Sequence, residues 1–262
     1  MMVVKGGMVM SINRTEAVQA QYATADNLAV RIAFQARYSC NQQGFGPWIT
    51  EQYDLRPGMR ILELGCGTGD MWSGVTLPEG CKLLLTDFSA GMLETAQRTL
   101  TGRPEITFHQ VDAQNIPCAD NTFDMVIANM MLYHVPDLSR ALAEIRRVLK
   151  PGGKFYCATY GEHGAVEAVA RWLNVDSAVR YTFTLQNGAA QLGQFFAQVE
   201  QRVYPDEFRI ASVDDLADYL LSLTSMSQLA ALPRDTLCQQ LALHMKDGVI
   251  RLPKDYGLFI CQ

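Results

Sequence analysis

The residues with the clearest chemical potential lie in one stretch, Arg60-Ile-Leu-Glu-Leu-Gly-Cys-Gly-Thr-Gly-Asp70. A short apolar run, Ile61, Leu62 and Leu64, ends in glycines at alternate positions, Gly65, Gly67 and Gly69. That pattern predicts a buried parallel strand turning sharply at its end. Glycine has no Cβ, so such a turn can adopt positive φ and a ligand can lie directly on the main chain. In open α/β sheets this is the ligand crevice, at the carboxyl end of the strand. Two acids flank the turn, Glu63 within the strand end and Asp70 behind the last glycine. A dinucleotide fingerprint would place glycine where Asp70 stands. Both carboxylates would repel a pyrophosphate seated there. A phosphate-free ligand with an ammonium group suits the turn better, and a nicotinamide-dependent oxidoreductase is disfavoured.

Other polar residues close the strands that follow. Pro57-Gly58 launches the first strand, and a helical stretch is expected after Gly69. Lys82 to Asp87 reads as a strand ending in a carboxylate. Ser89 can cap a helix with Met92, Leu93, Ala96 and Leu100 on one face. Ile106 to Val111 is a strand before Asp112, and Phe123 to Asn129 is another, running into Met130 to His134. Leu138, Ala141, Leu142, Ile145, Val148 and Leu149 mark an amphipathic helix stopped by Pro151-Gly-Gly153, with a strand over Lys154 to Thr159. Strands alternating with helices predict an α/β fold with a doubly wound, mostly parallel sheet.

The flanks break this rhythm. Residues 14–38 read as helical, with a break and cap at Asp26-Asn27, then a polar loop to Gly46 and a short helix over Trp48 to Tyr53. Helices are expected around 164–173, 188–198, 213–224 and 234–246, one strand over Val199 to Phe208, and a last strand over Val249 to Cys261. The chain thus divides into an N-terminal helical lid (1–56), an α/β core (57–160), a helical cap with one strand (161–248), and a final strand returning to the core sheet (249–262).

Composition sets outer limits. A net charge of −5 and a pI near 5.4 argue against a sequence-independent nucleic-acid surface. The main basic cluster, Arg146-Arg147 with Lys150, suits a helix C-terminus. Seven cysteines are scattered without C-x-x-C spacing, so no metal site is expected and reduced thiols point to a cytoplasmic setting. The apolar opening is interrupted by Lys5 and a glycine pair, and no stretch approaches the ~20 apolar residues of a membrane span.

The ordered set Glu63 to Gly69, Asp87, Asp112-Ala113, Asn129 and Leu149-Lys-Pro-Gly-Gly153 resembles the class I S-adenosylmethionine-dependent methyltransferases, particularly their small-molecule branch. The resemblance covers roughly residues 58–160. It implies a Rossmann-like fold with seven strands and S-adenosylmethionine as cofactor. Carried onto this chain, it implies that Glu63, Gly65, Cys66, Gly67 and Gly69 line the methionine portion and that Asp87 accepts both ribose hydroxyls. Phe88 and Met92 would wall the adenine, Asp112 and the Ala113 N–H would meet its polar edge, and the Asn129 carbonyl would meet the ammonium. The N-terminal helices resemble the mobile lid of this branch. Tyr22 would then be the aromatic closing over the sulfonium, an attraction of a cation to a ring face. Helix core is the competing reading of Tyr22. Arg37, Tyr38 and Gln43 would be cofactor contacts from the lid loop.

The implied reaction is direct displacement, in which the protein aligns the reactants. A base is needed only if the acceptor must lose a proton. His134, after the Asn129 strand, is the candidate base, with bracing of its loop as the other reading. Tyr133, Tyr160 and His163 border the same mouth as candidate substrate contacts. Asn129 is followed by Met-Met-Leu rather than the Pro-Pro-aromatic run of amino-methylating nucleic-acid enzymes. A small acceptor is therefore expected, with no nucleic-acid or membrane partner, in a monomer or homodimer. A cofactor-binding sensor or scaffold without turnover is the alternative from another class.

Overall fold

The computed structural model describes residues 25–175 and 181–262. Its main element is a seven-stranded sheet of order β3-β2-β1-β4-β5-β9-β6. The strands are β1 (Arg60–Leu64), β2 (Lys82–Asp87), β3 (Ile106–Gln110), β4 (Phe123–Ile127), β5 (Leu149–Tyr160), β6 (Val199–Val203) and β9 (Tyr256–Cys261). The first five pair in parallel, and β9 runs antiparallel between β5 and β6. β1 lies inside the sheet between β2 and β4, its residues after Arg60 all buried and Leu62 between Leu84 and Val126. A strand apolar on both faces must be covered on both. Burying each such side chain contributes roughly 1.5–3 kcal/mol.

Two sequence expectations near the sheet need correction. After Gly69 there is only a 3-10 turn, Asp70–Trp72, and no α-helix follows until Ala90. Gly74, Pro78 and Gly80 interrupt any helical period there. The strand expected from Lys154 begins instead at Leu149, and the Pro151-Gly-Gly153 segment is absorbed as an irregularity between the Phe123↔Leu149 and Met125↔Lys154 pairs.

Helix α3 (Ala90–Thr99) begins at Ser89, whose hydroxyl accepts the Met92 N–H, and it buries Leu93 and Ala96. Helix α4 (Leu138–Val148) is capped by Asp137 and buries Ala141, Leu142, Ile145 and Val148, one face at helical spacing. Arg147 in its last turn donates to the Ile116 and Cys118 carbonyls and to Glu144 and Asp120, fastening the loop before β4.

The chain forms two compact units. One, carrying the large sheet, comprises Gln43–Glu162, Phe183–Tyr204 and Asp255–Gln262, and it includes helices α2 (Phe45–Glu51) and α6 (Gly188–Leu192). The other comprises Pro205–Lys254 with the described parts of Met1–Gln42 and His163–Thr182. It contains α1 (Ala25–Tyr38), α5 (Ala165–Leu173), α7 (Val213–Leu221), α8 (Arg234–Ala242) and a hairpin of β7 (Glu207–Ile210) with β8 (Ile250–Pro253). These boundaries cut across the divisions expected at 56, 161 and 249.

The single strand expected over Val199 to Phe208 is two strands, broken at Tyr204-Pro205-Asp206. β6 joins the large sheet and β7 leaves it for the hairpin. The last expected strand divides in the same way at Lys254-Asp255, so only β9 returns to the large sheet. Proline lacks the N–H a ladder needs, which favours the break at Pro205. Helix α1 runs through Asp26-Asn27, so the expected break there is absent.

In the second unit Phe34, Tyr38, Phe208, Tyr219, Leu216, Leu220, Leu237 and Leu252 share one buried core. The Phe34 and Tyr219 rings stack at 4.1 Å. Among the described residues, no helix is long and apolar enough to cross a membrane, and no group of three His, Cys, Asp or Glu side chains converges as a metal site.

Candidate functional site

The glycine turn after β1 has three glycines in the left-handed region, Gly65 at φ +70°, Gly67 at +56° and Gly69 at +74°. Only glycine takes this conformation without a penalty. Their surroundings differ. A Cβ on Gly65 would lie 2.8 Å from the Met131 Cβ, so its bareness is accounted for by the loop after β4. A Cβ on Gly69 would meet Leu100 and Ala96, so this glycine lets α3 pack closely. Around Gly67 no described residue lies within 4 Å of the missing Cβ. Of the three glycines, Gly67 is therefore the one whose bareness no described neighbour accounts for.

Asp87, at the end of β2, takes hold of this turn. Its Oδ2 accepts the Gly67 N–H at 2.9 Å, and its Oδ1 accepts the Ser89 N–H at 2.8 Å. Burial raises its pKa, against the lowering effect of the Ser89, Gly67 and Phe88 N–H groups. The acid thus ties the β1 and β2 ends together and retains lone pairs for a further donor.

Glu63 lies beneath the turn and is 2% exposed. Its Oε2 accepts the Trp72 indole N–H at 2.5 Å. Among the described residues no cation pairs with it. Burial pushes its pKa up to about 7, with Asp87 adding repulsion and the Trp72 and Asn129 hydrogen bonds opposing. Beside it, Asn129 Nδ2 donates to the Tyr53 hydroxyl at 2.6 Å, while the buried Asn129 Oδ1 has no hydrogen-bond partner. The Tyr53 ring lies 6.0 Å from Trp72 and packs edge-on to Tyr156 at 5.1 Å. Neither Tyr53 nor Trp72 stands out in the sequence. Trp72 follows an acid by nine positions with a glycine turn between, which identifies nothing by itself. Cys66, in the turn, has its thiol pKa pushed up, first by burial and then by Glu63 and Asp87.

The remaining sequence-nominated residues fall into three groups. Phe88 is 46% exposed and Met92 partly buried at the start of α3. Asp112, past the end of β3, accepts from the Gln114 main chain and side-chain amide at 2.9–3.2 Å, and Ala113 beside it is buried. Beyond β4, Met130 carries a left-handed φ of +53°, and a 3-10 turn, Leu132–His134, follows. There Tyr133 is buried, with its ring 4.5 Å from His134 and 5.4 Å from Tyr160 at the end of β5. Tyr160 in turn packs edge-on to Tyr256 at 5.1 Å. These residues and Gln43 belong to the same unit as the glycine turn.

Arg37, Tyr38 and His163 belong to the other unit. Arg37 and Tyr38 form the last turn of α1, inside the helix expected to end at 38, and both donate to Asp215 Oδ2, at 2.8 and 2.5 Å. Tyr38 is buried in that unit's core, and burial first, then the Asp215 hydrogen bond, raises its pKa. Tyr22 lies outside the described residues.

Residues 62–157 match the model of a methyltransferase domain. A demethylmenaquinone methyltransferase of Symbiobacterium thermophilum is 41% identical over 112 residues, which is 40% of this chain and 44% of that protein. The chain thus matches less than half the length of that relative. Among solved structures, a [4+2]-cyclase, SpnF, superposes with a TM-score of 0.57 at 19% identity, covering 96% of both chains. The phosphoethanolamine N-methyltransferase 2 of Haemonchus contortus, in complex with S-adenosylmethionine, gives 0.56 at 18% identity, covering 95% of this chain and 58% of that one. At these identities the structural matches establish the sheet topology, not the activity.

Proposed function

We propose that this chain, whose residues 62–157 form a class I S-adenosylmethionine-dependent methyltransferase domain, transfers the cofactor's methyl group to a small-molecule acceptor. The observation that carries this reading is a glycine turn open at Gly67 and bordered by Asp87 and Glu63, with no cation paired to Glu63 among the described residues. The donors and acceptors fit the cofactor. A buried carboxylate and the unsatisfied Asn129 Oδ1 suit an ammonium, and a half-buried strand-end acid suits a diol. When bound, the cofactor supplies a methyl group on a positively charged sulfur.

The chain's residues do the rest. Gly67 gives access to the main chain, and Asp87 accepts the ribose hydroxyls while the Gly67 and Ser89 N–H groups hold it in place. Phe88 and Met92 wall the adenine, and Asp112 keeps lone pairs beyond those engaged by Gln114 for an exocyclic amine. Tyr133 and Tyr160 form an aromatic border for the acceptor. His134 takes a proton at its imidazole when the acceptor is a hydroxyl.

Isothermal calorimetry with S-adenosylmethionine and S-adenosylhomocysteine tests the reading. Binding of both, sharply weakened in Asp87→Ala, is the expected result. No heat with either ligand would rule it out. Tight binding without product across a broad acceptor screen would favour a cofactor-dependent sensor. The same fold does carry a protein named for a cyclisation, so turnover needs its own measurement.

A further inference from the structure

Glu63 is a buried acid with no compensating charge beside it among the described residues. The groups acting on it come from every surrounding element: Trp72 from the 3-10 turn, Asp87 from the end of β2 and Asn129 from the end of β4. Glu63 in turn acts on Cys66 in the turn and on Tyr53 after α2, with Tyr156 of β5 behind Tyr53. None of these is a Lys, Arg or His. A carboxylate sealed in such surroundings needs either a proton or an arriving cation.

We propose that Trp72 and Tyr53 are positioning residues that hold Glu63 and Asn129 in a closed, cation-free cluster, so that cofactor binding expels one proton from Glu63. This rests on the glycine turn being the cofactor site. The balance is simple. In the free protein the Glu63 carboxyl carries a proton. On binding, that proton leaves to solvent and the ligand's ammonium takes over as the carboxylate's counter-charge. Burial drives the protonated form, in keeping with the raised pKa of about 7. The two aromatic residues set the balance in opposite directions. The Trp72 N–H stabilises the ionised acid directly. The Tyr53 hydroxyl shares the Asn129 amide with Glu63, so removing it leaves that donor to the acid alone.

The test is calorimetry of S-adenosylhomocysteine binding in paired buffers of different ionisation enthalpy across pH 5.5–9. This ligand has no sulfonium, and Glu63→Gln subtracts protons exchanged by the ligand's own amine. The wild type should release nearly one proton more than Glu63→Gln near pH 6, about half at pH 7, and almost none at pH 9. Trp72→Phe should move the midpoint up by about one pH unit, and Tyr53→Phe should move it down. A purely structural role would not separate the two aromatic variants in opposite directions. Binding with equal proton counts in wild type and Glu63→Gln would overturn the proposal and leave the cofactor site intact. An unchanged midpoint in both aromatic variants would remove their positioning role. No binding at all would sink the cofactor reading, and this proposal with it.

Discussion

The two units bury charge in contrasting ways. In the smaller unit, Lys254 Nζ lies 2.6 Å from Asp206 Oδ2, their side chains 4% and 0% exposed. Lys254 also donates to Ser39 Oγ and sits 4.8 Å from the Phe208 ring centre. The other Asp206 oxygen accepts the Asn41 and Glu207 N–H groups. Here a buried charge is answered by its opposite and by hydrogen bonds, so folding alone explains it. In the sheet unit, Glu63 is as deeply buried, and the charged group acting on it among the described residues, Asp87, has the same sign. Folding supplies Glu63 with hydrogen bonds from Trp72 and Asn129 but, among the described residues, with no opposite charge. In the proposed function that charge arrives with the ligand.

The contrast is broken most violently by removing one half of the satisfied pair. Asp206→Ala removes the carboxylate that faces the buried Lys254 ammonium and frees two main-chain donors, and a loss of about 3–5 kcal/mol is expected in urea unfolding. Replacing both residues with apolar ones should recover most of that loss, since a buried pair often only breaks even against packing. If the single and double variants prove equally unstable, Asp206 acts through its main-chain bonds instead.

Glu63→Gln should have the opposite sign. The folded-state pKa of Glu63 is raised from the ordinary 4.5 to about 7. The free protein is therefore unpenalised below about pH 4.5, loses stability as pH rises through 7, and carries the full cost above it. A shift of that size corresponds to ~3 kcal/mol. Thermal unfolding of Glu63→Gln should match wild type at pH 4.5 and exceed it at pH 8. Equal melting at both would mean that Glu63 is not strained in the free protein.

Asp87→Ala compares an acid exposed enough to serve a ligand with one sealed away. Its effect should fall on binding, with cofactor affinity down about 30–100-fold, while stability drops by ~1–2 kcal/mol from the released Gly67 and Ser89 donors. A variant that melts far earlier yet binds normally would reverse the roles assigned to the two acids.

How much of this was legible in the sequence follows from the range over which each signal acts. The parallel strands and the glycine turn were readable because apolar runs and missing Cβ atoms are local facts. So were Asp87 and Asp112, which close strands in a regular alternation. Trp72 and Tyr53 were not, because their significance is a hydrogen bond to a residue chosen by the fold. The splitting at Tyr204-Pro205-Asp206 was missed by the single strand expected over Val199 to Phe208. Periodicity does not register a proline in mid-run, nor can it say that two halves join different sheets. Arg37 and Tyr38 fall inside the helix expected over 14–38, but the Asp215 carboxylate that accepts from both lies far off in sequence and could not be read from it.

The smallest effect on the fold separates two glycines that look identical in the sequence. Gly67→Ala puts a Cβ at φ +56° with no described residue within 4 Å, so the left-handed backbone is what resists it, at roughly 1–2 kcal/mol. Gly65→Ala pays the same backbone term and also drives a methyl to 2.8 Å from the Met131 Cβ, so the loop after β4 must shift. The Gly65 variant should therefore melt clearly below the Gly67 variant. Cofactor affinity should rank the other way relative to stability. The methyl on Gly67 would occupy space that folding leaves open, so that variant should lose at least tenfold in affinity while remaining folded by circular dichroism. If Gly67→Ala binds S-adenosylhomocysteine as wild type does, the open side of the turn is not where the ligand lies, and the pairing of vacant room with unanswered charge in the sheet unit loses its meaning.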